Sequence, residues 1–518
     1  MGALVGLCAA LMACKEATPQ AKPTTAEQRG REIYTRGISP TGGQILARVS
    51  REGEAVPASM LPCVGCHGPD GRGRPEGGVA PSNIRWSSLT RPYEATAGTG
   101  RRHPPYTEPL FRKAVALGVD PAGQPLHEAM PRYTMSRADS EDLVAYLKAL
   151  SQQVDPGVSA DELRIGFVSS EEAGAVADGR VARAMVEALF AELNRRGGIY
   201  GRRLVLRSGT LPAAPPQRVE ALRRFLETEK PFALVGMVLG GEEDGVPELL
   251  GELQVPLVGA LSAFPSTKQP VPRYIFYLYS GVAEQAQVLM EFAGREKGSS
   301  ARIAIVHPDS PDLAEVARRL VALGQERGLT GGSAHVLPAG GGAGLAAELA
   351  RRKVEAILFL GPWGEEQPLW DAVGRDGWEP LLLVPGSVTR REGLPLPSER
   401  AGRLLMAFPT SPAERTPEAM RLYERLATAY TLPRERLSTQ LSALAGASLL
   451  AESVVAAGHD LSRERLVDVL EKTRDFKTGL VPPLTFGRAR RQGSRGAYIL
   501  EVGRDGRVKP LGGWVAVE

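Results

Sequence analysis

Cys63-Val64-Gly65-Cys66-His67 is the stretch that says most about the fold of this 518-residue chain. Two cysteines separated by two residues and followed directly by a histidine form the attachment motif of a c-type haem. Each thiol can add to one vinyl group of the porphyrin, and the histidine then lies beneath the iron and ligates it. The other ring nitrogen of the histidine is expected to donate to a backbone carbonyl. The motif therefore predicts one covalently bound haem c.

A zinc site or a redox-active dithiol would also use a cysteine pair. A structural zinc site needs four ligands, and the sequence has no second pair near Cys63 and Cys66. A thioredoxin-like dithiol follows a strand in a βαβ unit, whereas this pair lies in a stretch of loops and helices. The other two cysteines, Cys8 and Cys14, lie in the N-terminal apolar stretch, so no disulfide framework is expected. Haem attachment is the favoured interpretation.

The iron needs a further axial ligand with a sulfur or nitrogen donor, and Met130, which precedes Pro131, is the best candidate. With the haem motif and a closing helical pattern that contains Tyr146-Leu147, it makes residues 25–152 resemble class I cytochromes c. In that family the Met before the Pro ligates the iron and raises its potential relative to His/His ligation. Three side chains remain alternative ligands: Met135, His103 and His127. The resemblance implies one-electron transfer, because both axial positions are filled.

The remainder of this N-terminal unit has helical patterns at Glu27–Arg36 and Ser140–Leu150 and no clear strands, which predicts a small all-α domain. Several arginines could hydrogen-bond the haem propionates, although solvated surface charge is the more common role of any one of them. These arginines are Arg72, Arg74, Arg85, Arg101 and Arg102.

The N-terminal 14 residues are apolar and too short to span a bilayer. Leu11-Met12-Ala13-Cys14 resembles the lipobox of bacterial lipoproteins, in which the chain is cut before the cysteine and the cysteine is acylated. A basic start, which signal peptides have, is missing. We expect a lipoprotein-like signal segment at 1–14, with cleavage elsewhere as the alternative, and a polar tether at 15–24. No other segment is expected to be long and apolar enough to span a membrane.

From residue 163 onward, apolar strand-like runs alternate with amphipathic helices, after a turn-rich linker at 153–162. The predicted strands are Leu163–Val168, Phe232–Val235, Pro256–Ala260, Ile303–Val306, Ala356–Leu360 and Leu381–Val384. The predicted helices are Arg180–Arg196, Ala283–Glu296, Leu313–Arg327 and Ala343–Arg352. This alternation predicts parallel sheets covered on both faces. About 355 residues exceed one core, so two lobes are expected.

Residues 163–518 resemble periplasmic solute-binding proteins of the leucine/isoleucine/valine type. The most specific match is Asn194-Arg195-Arg196-Gly197-Gly198-Ile199-Tyr200-Gly201, and Val255–Gly259 and the run from Gly479 to Gly487 are looser matches. The resemblance implies a two-lobed α/β fold with Rossmann-like lobes and a small solute in the cleft between them. The candidate ligand contacts that it implies are Ser169, Ser170, Ser262, Tyr279 and Trp363. Glu171-Glu172 in the first loop leave the identity of the solute open.

The whole chain is therefore expected to be a multidomain, exported protein: a cytochrome c domain at 25–152 fused to a solute-binding domain at 163–518. We expect a periplasmic redox partner such as a dehydrogenase or oxidase, a small-molecule ligand and attachment to a membrane by lipid at Cys14. Two alternatives are a transport receptor for an ABC permease with an accessory haem, and a ligand-responsive redox sensor. Sequence motifs of hydrolases are lacking, so no enzyme is expected, and a net charge of +4 indicates no nucleic-acid partner.

Overall fold

The computed structural model describes residues 25–49, 53–73, 79, 81–90, 95–96, 102–152, 154–238, 243, 245–266, 271–338, 342–361, 367–371, 373, 377–389, 403–503 and 508–517. The chain divides into two compact units between Gln153 and Val154. Cys14, Arg74, Arg101 and Trp363, which the sequence analysis singled out, lie outside the described residues.

The N-terminal unit is mainly helical. Its elements are α1 (Thr25–Arg36), β1 (Leu46–Arg48), β2 (Val56–Pro57), α2 (Cys63–His67), α3 (Trp86–Leu89), β3 (Ala95–Thr96), β4 (Arg102–His103), α4 (Glu108–Leu117), β5 (Arg132–Thr134) and α5 (Arg137–Gln152). The helical expectation is confirmed, but short strands are also present, with β1 between β2 and β5 in an antiparallel sheet. Strands of two or three residues are too short to show an alternating pattern, which is why the sequence did not indicate them.

The first and last helices of this unit, α1 and α5, cross at Gly30. A Cβ atom at Gly30 would lie 2.0 Å from the carbonyl oxygen of Asp142 and 2.7 Å from Cβ of Tyr146. Beside this crossing, Arg29 donates to both carboxylate oxygens of Asp142 over 2.5 and 2.8 Å. The absence of a side chain at Gly30 thus sets how closely the two helices approach, and the ion pair lies along their seam.

The C-terminal unit begins with strands and helices in alternation. These elements are β6 (Glu162–Ser170), α6 (Ala173–Arg195), β7 (Arg203–Leu211), α7 (Pro215–Glu229), β8 (Ala233–Val235), α8 (Val246–Glu252), β9 (Leu257–Ala260) and β10 (Ile275–Tyr279). A second series follows: α9 (Val282–Lys297), β11 (Ile303–His307), α10 (Pro311–Glu326), β12 (Gly332–Val336), α11 (Gly342–Arg351), β13 (Ala356–Phe359), α12 (Gln367–Trp370), β14 (Leu381–Pro385), α13 (Gly386–Thr389) and β15 (Leu404–Phe408). The unit closes with α14 (Pro417–Ala429), α15 (Leu437–Ala457), α16 (Arg463–Lys472), β16 (Gln492–Ser494), β17 (Gly496–Val502), β18 (Val508–Pro510) and β19 (Val515–Ala516).

These elements form two lobes, each with one sheet. Lobe 1 has a parallel sheet in the order β16-β10-β9-β8-β6-β7. Lobe 2 has the order β12-β11-β13-β14-β15-β17-β18, parallel up to β15 and antiparallel beyond it. Apolar cores cover both faces of each sheet. The predicted two-lobed α/β fold is confirmed, and each of the six predicted strands is present with ends shifted by a residue or two at most.

Helix α15 corrects one expectation. Leu437–Ala457 is long and apolar enough to cross a membrane by length and composition, although no such segment was expected beyond the N-terminus. However, 78% of its most apolar window is buried inside the protein. It packs in the core of lobe 1 with Phe167, Val258 and Phe486. A helix that is apolar on all sides and buried inside a protein is a core helix, and α15 fits that description.

Candidate functional site

The haem motif forms a single helical turn, α2, whose two ends are held by tyrosines. The hydroxyl of Tyr34 donates to the carbonyl of Gly68 over 2.6 Å, and that of Tyr133 donates to the carbonyl of Leu61 over 2.6 Å. Gly68 ends the helix with φ of 74°, a conformation that favours glycine. Tyr34 is fully buried, so its hydrogen bond is shielded from water. The motif is therefore held from before its first cysteine to after its histidine.

His67 is buried, and its imidazole is oriented by a backbone carbonyl. Its Nδ1 lies 2.9 Å from the carbonyl oxygen of Ser82. Since a carbonyl oxygen only accepts, Nδ1–H is the donor and Nε2 keeps its lone pair. Burial lowers the pKa of His67, opposed by the hydrogen bond to Ser82. A neutral ring with a free Nε2 is the form that ligates iron, and the carbonyl partner expected from the sequence is present.

The two cysteines of α2 are free thiols. Burial raises the pKa of the Cys63 thiol to about 12, and Cys66 is exposed. Two unpaired thiols in one helical turn, followed by an oriented neutral imidazole, fit a covalently attached haem. When bound, the haem would supply one-electron redox chemistry at its iron. The role of this chain is to hold the group and to shape its surroundings.

Four side chains were candidates for the opposite side of the iron. Met130 is half-buried and packs against the same apolar cluster as Cys63 and Val64. Met135 packs against this cluster as well. His103 is buried, and its Nδ1 lies 2.9 Å from the carbonyl oxygen of Pro104. The exposed His127 accepts the N–H of Ala129 at its Nδ1 over 3.2 Å. Met130 stays the predicted second ligand of the iron, and Met135 stays an alternative to it.

If Met130 holds the iron, Met130→Ala is expected to change the spin state of the bound haem while leaving the haem covalently attached. Loss of the thioether should lower the reduction potential by a sizeable part of the roughly 0.8 V range that axial ligands span. Absorption and electron paramagnetic resonance spectra report the change of spin state, and a potentiometric titration reports the potential. Met135→Ala is the matched control and should retain the spectrum of the wild type. The reverse pattern would make Met135 the ligand.

Two of the three described arginines that were candidate propionate contacts, Arg85 and Arg72, have partners in the chain. Arg85 is buried and donates through Nε and Nη2 to the carbonyl of Leu150 over 3.2 and 2.6 Å. It therefore binds the last turn of α5, where carbonyls lack helical partners. Arg72 pairs with Asp70 over 3.3 Å. Arg102 is exposed.

A cleft of about 620 Å³ lies between the two lobes of the C-terminal unit. Its lobe 1 wall comes from α6, from the segments after β8 and β9, from the end of β10 and from the start of α15. Its lobe 2 wall comes from the segments after β14 and β15. Ser262 and Tyr279, two of the candidate ligand contacts, line this cleft. Its other lining residues include Leu261, Ser387, Phe408, Thr410 and Ser438.

Several polar groups of the cleft are bonded to one another. Asp178 accepts from Arg436 Nη1 over 3.0 Å and from Thr439 Oγ1 over 2.9 Å. The Tyr279 hydroxyl donates to Ser442 Oγ. These contacts neutralise the charge of Asp178 and fix the hydroxyls along one wall. The pairing of Asp178 with Arg436 gives no signal in the sequence, because 258 residues separate them in the chain.

Ser169 and Ser170 lie elsewhere. They line a separate groove of about 420 Å³ in lobe 1, between α6 and the end of edge strand β7. Arg180 and Arg183 line the same groove. The structure thus brings two of the four described candidate contacts into the interlobe cleft and two into this groove.

The buried carboxyl group of Glu243 in lobe 1 was not expected from the sequence. It is 7% exposed, and its Oε2 accepts the hydroxyl of Tyr277 over 2.5 Å. Burial raises its pKa to about 7, while hydrogen bonds from Tyr277 and Ser262 and the charge of Arg218 lower it. Sequence pattern offers little signal for such a residue, because its burial depends on strand β10, which lies more than 30 residues further along the chain.

Glu243→Gln should alter how stability depends on pH. Because the folded-state pKa is raised, the contribution of Glu243 is fully present below its unfolded value of 4.5 and is lost as pH rises through about 7. From pH 5 to pH 7.5, the variant should therefore gain about 2 kcal/mol of unfolding free energy relative to the wild type. Denaturant unfolding at both pH values measures this gain. Glu227→Gln, at an exposed position on α7, is the control and should gain nothing; an equal gain there would contradict the assignment.

Two family models match the chain. A periplasmic binding protein model matches residues 162–507, and a cytochrome c model matches residues 52–151. A comparison with curated proteins finds no match.

Solved structures similar to the chain are two-lobed binding proteins. A branched chain amino acid ABC transporter protein from Thermus thermophilus with bound valine is 18% identical, with TM-score 0.53, over 69% of this chain and 97% of that one. A fatty acid ABC transporter substrate-binding protein from Thermomonospora curvata is 18% identical, with TM-score 0.56, over 71% and 95%. A possible leucine/isoleucine/valine-binding protein from Rhodopirellula baltica is 16% identical, with TM-score 0.54, over 70% and 98%. At these identities the likeness is one of fold.

Proposed function

Since the chain belongs to the periplasmic binding protein family and carries a cytochrome c domain ahead of its two lobes, we propose that it is an exported monohaem electron carrier that also binds a small solute. The observation that carries the proposal is the presence of both kinds of site in one chain. The haem motif is held by two tyrosines with its histidine oriented. The lobes enclose a cleft of about 620 Å³.

In the N-terminal unit, Cys63 and Cys66 would hold the haem covalently, and His67 and Met130 would bind its iron. A haem held in this way would supply one-electron redox chemistry, so the proposed role of the unit is electron transfer. Its partner is a periplasmic dehydrogenase or oxidase. Proteins of the two matched families are typically exported and are carriers and receptors rather than enzymes. Acylation at Cys14 would attach the chain to a membrane.

The solute site is the interlobe cleft, with Ser262 and Tyr279 among its contacts. Its volume of about 620 Å³ suits a small molecule. Apolar side chains such as Leu261 and Phe408 line it beside a row of hydroxyls. Valine is bound in the similar structure from Thermus thermophilus, and the one from Thermomonospora curvata is a fatty acid transporter protein; valine and fatty acids each combine an apolar body with one polar end. Solutes of that kind are the first to test.

The two halves of the proposal are tested on the full chain produced with cytochrome c maturation machinery. We expect haem that survives denaturation, a reversible one-electron wave, and a rise in the unfolding temperature of the C-terminal unit with a branched-chain amino acid or a short fatty acid. Absence of covalent haem would reject the first half. Failure of every such solute to stabilise the protein would reject the second.

A ligand-responsive redox sensor would differ in one measurement. Coupling between two sites is reciprocal, so a solute that alters the haem must change its reduction potential. We expect equal potentials with and without bound solute, as for two independent modules. A shift would instead favour the sensor.

A further inference from the structure

We propose that Arg132 is a positioning residue for Met130: its guanidinium holds the main chain of Met130, so that the thioether stays available to the haem iron as the second axial ligand. The inference rests on the proposed function of the N-terminal unit and deepens it. The attachment motif fixes only the side of the haem that His67 faces, and Arg132 supplies what keeps the opposite side in place. Arg132 acts through Met130 and not on the haem itself.

The first step is the pair of hydrogen bonds that Arg132 makes to the segment 126–130. Its Nη1 donates to the carbonyl oxygen of Met130, and its Nη2 donates to the carbonyl oxygen of Leu126 over 3.3 Å. A guanidinium is planar and always charged, so its hydrogen bonds are stronger than those of a neutral donor. One side chain thus holds both ends of the segment that carries the thioether.

The second step is the anchoring of Arg132 itself. It lies in β5 and is paired with Arg48 of β1 in the antiparallel sheet. The next residue, Tyr133, donates its hydroxyl to the carbonyl of Leu61, directly before the haem motif. The strand that holds the start of the motif therefore also bears the side chain that holds Met130. This shared strand fixes the two sides of the haem site relative to each other.

The third step is the space for the guanidinium at Gly118, the residue that ends α4 with φ of 69°. A Cβ atom at Gly118 would lie 1.7 Å from Nε and 2.1 Å from Cζ of Arg132. The N–H of Leu126 also donates to the carbonyl of Gly118 over 2.8 Å. The side chain of Arg132 can therefore reach Leu126 and Met130 only because position 118 has no side chain.

Pro131, between the ligand and the arginine, explains why the carbonyl of Met130 matters. Proline has a fixed φ and no N–H, and it restricts the backbone of the residue before it. The N–H of Met130 donates to the carbonyl of His127 over 3.0 Å, and its own carbonyl accepts from Arg132. Both polar groups of the Met130 backbone are thus bonded. Loss of the guanidinium removes one of these bonds and loosens the segment.

An external ligand measures how firmly Met130 is held. Imidazole can take the second axial position only in the fraction of molecules in which the thioether has moved away. Its apparent affinity is therefore lower than its intrinsic affinity by that fraction. A variant that loosens Met130 should bind imidazole more tightly, and its reduction potential should move toward that of Met130→Ala.

The test uses the full haem-loaded protein, titrated with imidazole and followed by absorbance. Arg132→Gln should lower the apparent Kd for imidazole by about tenfold, which corresponds to the loss of one charge-assisted hydrogen bond. Arg132→Lys keeps the charge and should recover part of the difference. Arg137→Gln, which removes an exposed arginine of α5 paired with Glu141, is the control and should behave as the wild type.

A pair of glycine variants tests the same contact without removing the arginine. Gly118 and Gly123 both have a positive φ, of 69° and 81°, so alanine is strained at either position. A Cβ atom at Gly123 would have no atom within 4 Å, whereas one at Gly118 displaces the guanidinium. We expect Gly118→Ala to lower the apparent Kd for imidazole and Gly123→Ala to leave it unchanged. Equal effects would contradict the role of Arg132.

The Met130→Ala background separates the possible failures. In that background Arg132→Gln should have no further effect on imidazole binding, because the residue through which it acts is gone. An equal effect in both backgrounds overturns the inference, and so does a wild-type Kd in Arg132→Gln alone; both results leave Met130 a ligand. If Met130→Ala itself binds imidazole as the wild type does, the proposed ligand set of the haem fails, and the inference fails with it.

Discussion

Replacing both Cys63 and Cys66 by alanine should abolish all haem that survives denaturation. In the wild type each thiol is expected to form a thioether bond to one vinyl group, and those bonds resist acid, organic solvent and detergent. In the double variant only axial ligation by His67 and Met130 would hold the haem, and unfolding removes both ligands. Haem staining after denaturing electrophoresis, compared with total haem in the native protein, measures the loss.

The matched control for this experiment is Val64→Ala, between the two cysteines. It lies in the same helical turn, is only half-buried and has no thiol, so covalent haem should be retained. Each single cysteine variant should keep haem through the remaining thioether bond. Haem that stays with the denatured double variant would show that another group binds it covalently, and the assignment of the motif would then be wrong.

Gly30→Ala should destabilise the N-terminal unit by about 3 kcal/mol, near the upper end of the usual cost of overpacking. The added Cβ would lie 2.0 Å from a backbone carbonyl oxygen of α5, which has no flexible end that can move away. The helices must therefore separate, which also strains the ion pair of Arg29 with Asp142. Chemical denaturation followed by the haem absorbance isolates this unit, because the haem lies within it.

The control for the helix crossing is Gln28→Ala, at an exposed position of α1. Alanine favours helix at least as well as glutamine. The unfolding free energy of Gln28→Ala should therefore stay within about 0.5 kcal/mol of the wild type, the usual range for surface substitutions. If Gly30→Ala unfolds at the midpoint of the wild type, close approach at Gly30 is not what holds α1 against α5.

Patterns that are local in sequence predicted most of the architecture. The haem motif lies within five consecutive residues, and its expected carbonyl partner is present at His67. The buried parallel strands of the lobes are short apolar runs between amphipathic helices, which periodicity detects. The same reasoning did not find β1, β2 and β5, because strands of two or three residues show no alternating pattern.

The candidate site was predicted less completely, because its contacts are set by tertiary structure. The hydroxyls of Tyr34 and Tyr133 hold the two ends of α2, and neither contact could be read from the sequence. Ser169 lies near the end of β6 and Ser262 lies just after β9, but the two side chains line different pockets. Glu243 gave no signal, since a carboxylate in a loop is usually solvated. Burial of a single polar side chain is not readable from hydrophobic periodicity.

Lobe 1 is assembled from two distant parts of the chain, and this affects the order in which the protein can fold. Its sheet includes β6 near residue 162 and β16 near residue 494, and the core-forming helix α15 comes after all the parallel strands of lobe 2. A chain that emerges from its N-terminus can complete the N-terminal unit early. The sheet of lobe 1 cannot be completed until β16 has been synthesised, more than 200 residues after β9. Its apolar strands stay uncovered until then. Such late, non-local closure slows folding and lengthens exposure to aggregation, so this lobe is where a chaperone would be needed.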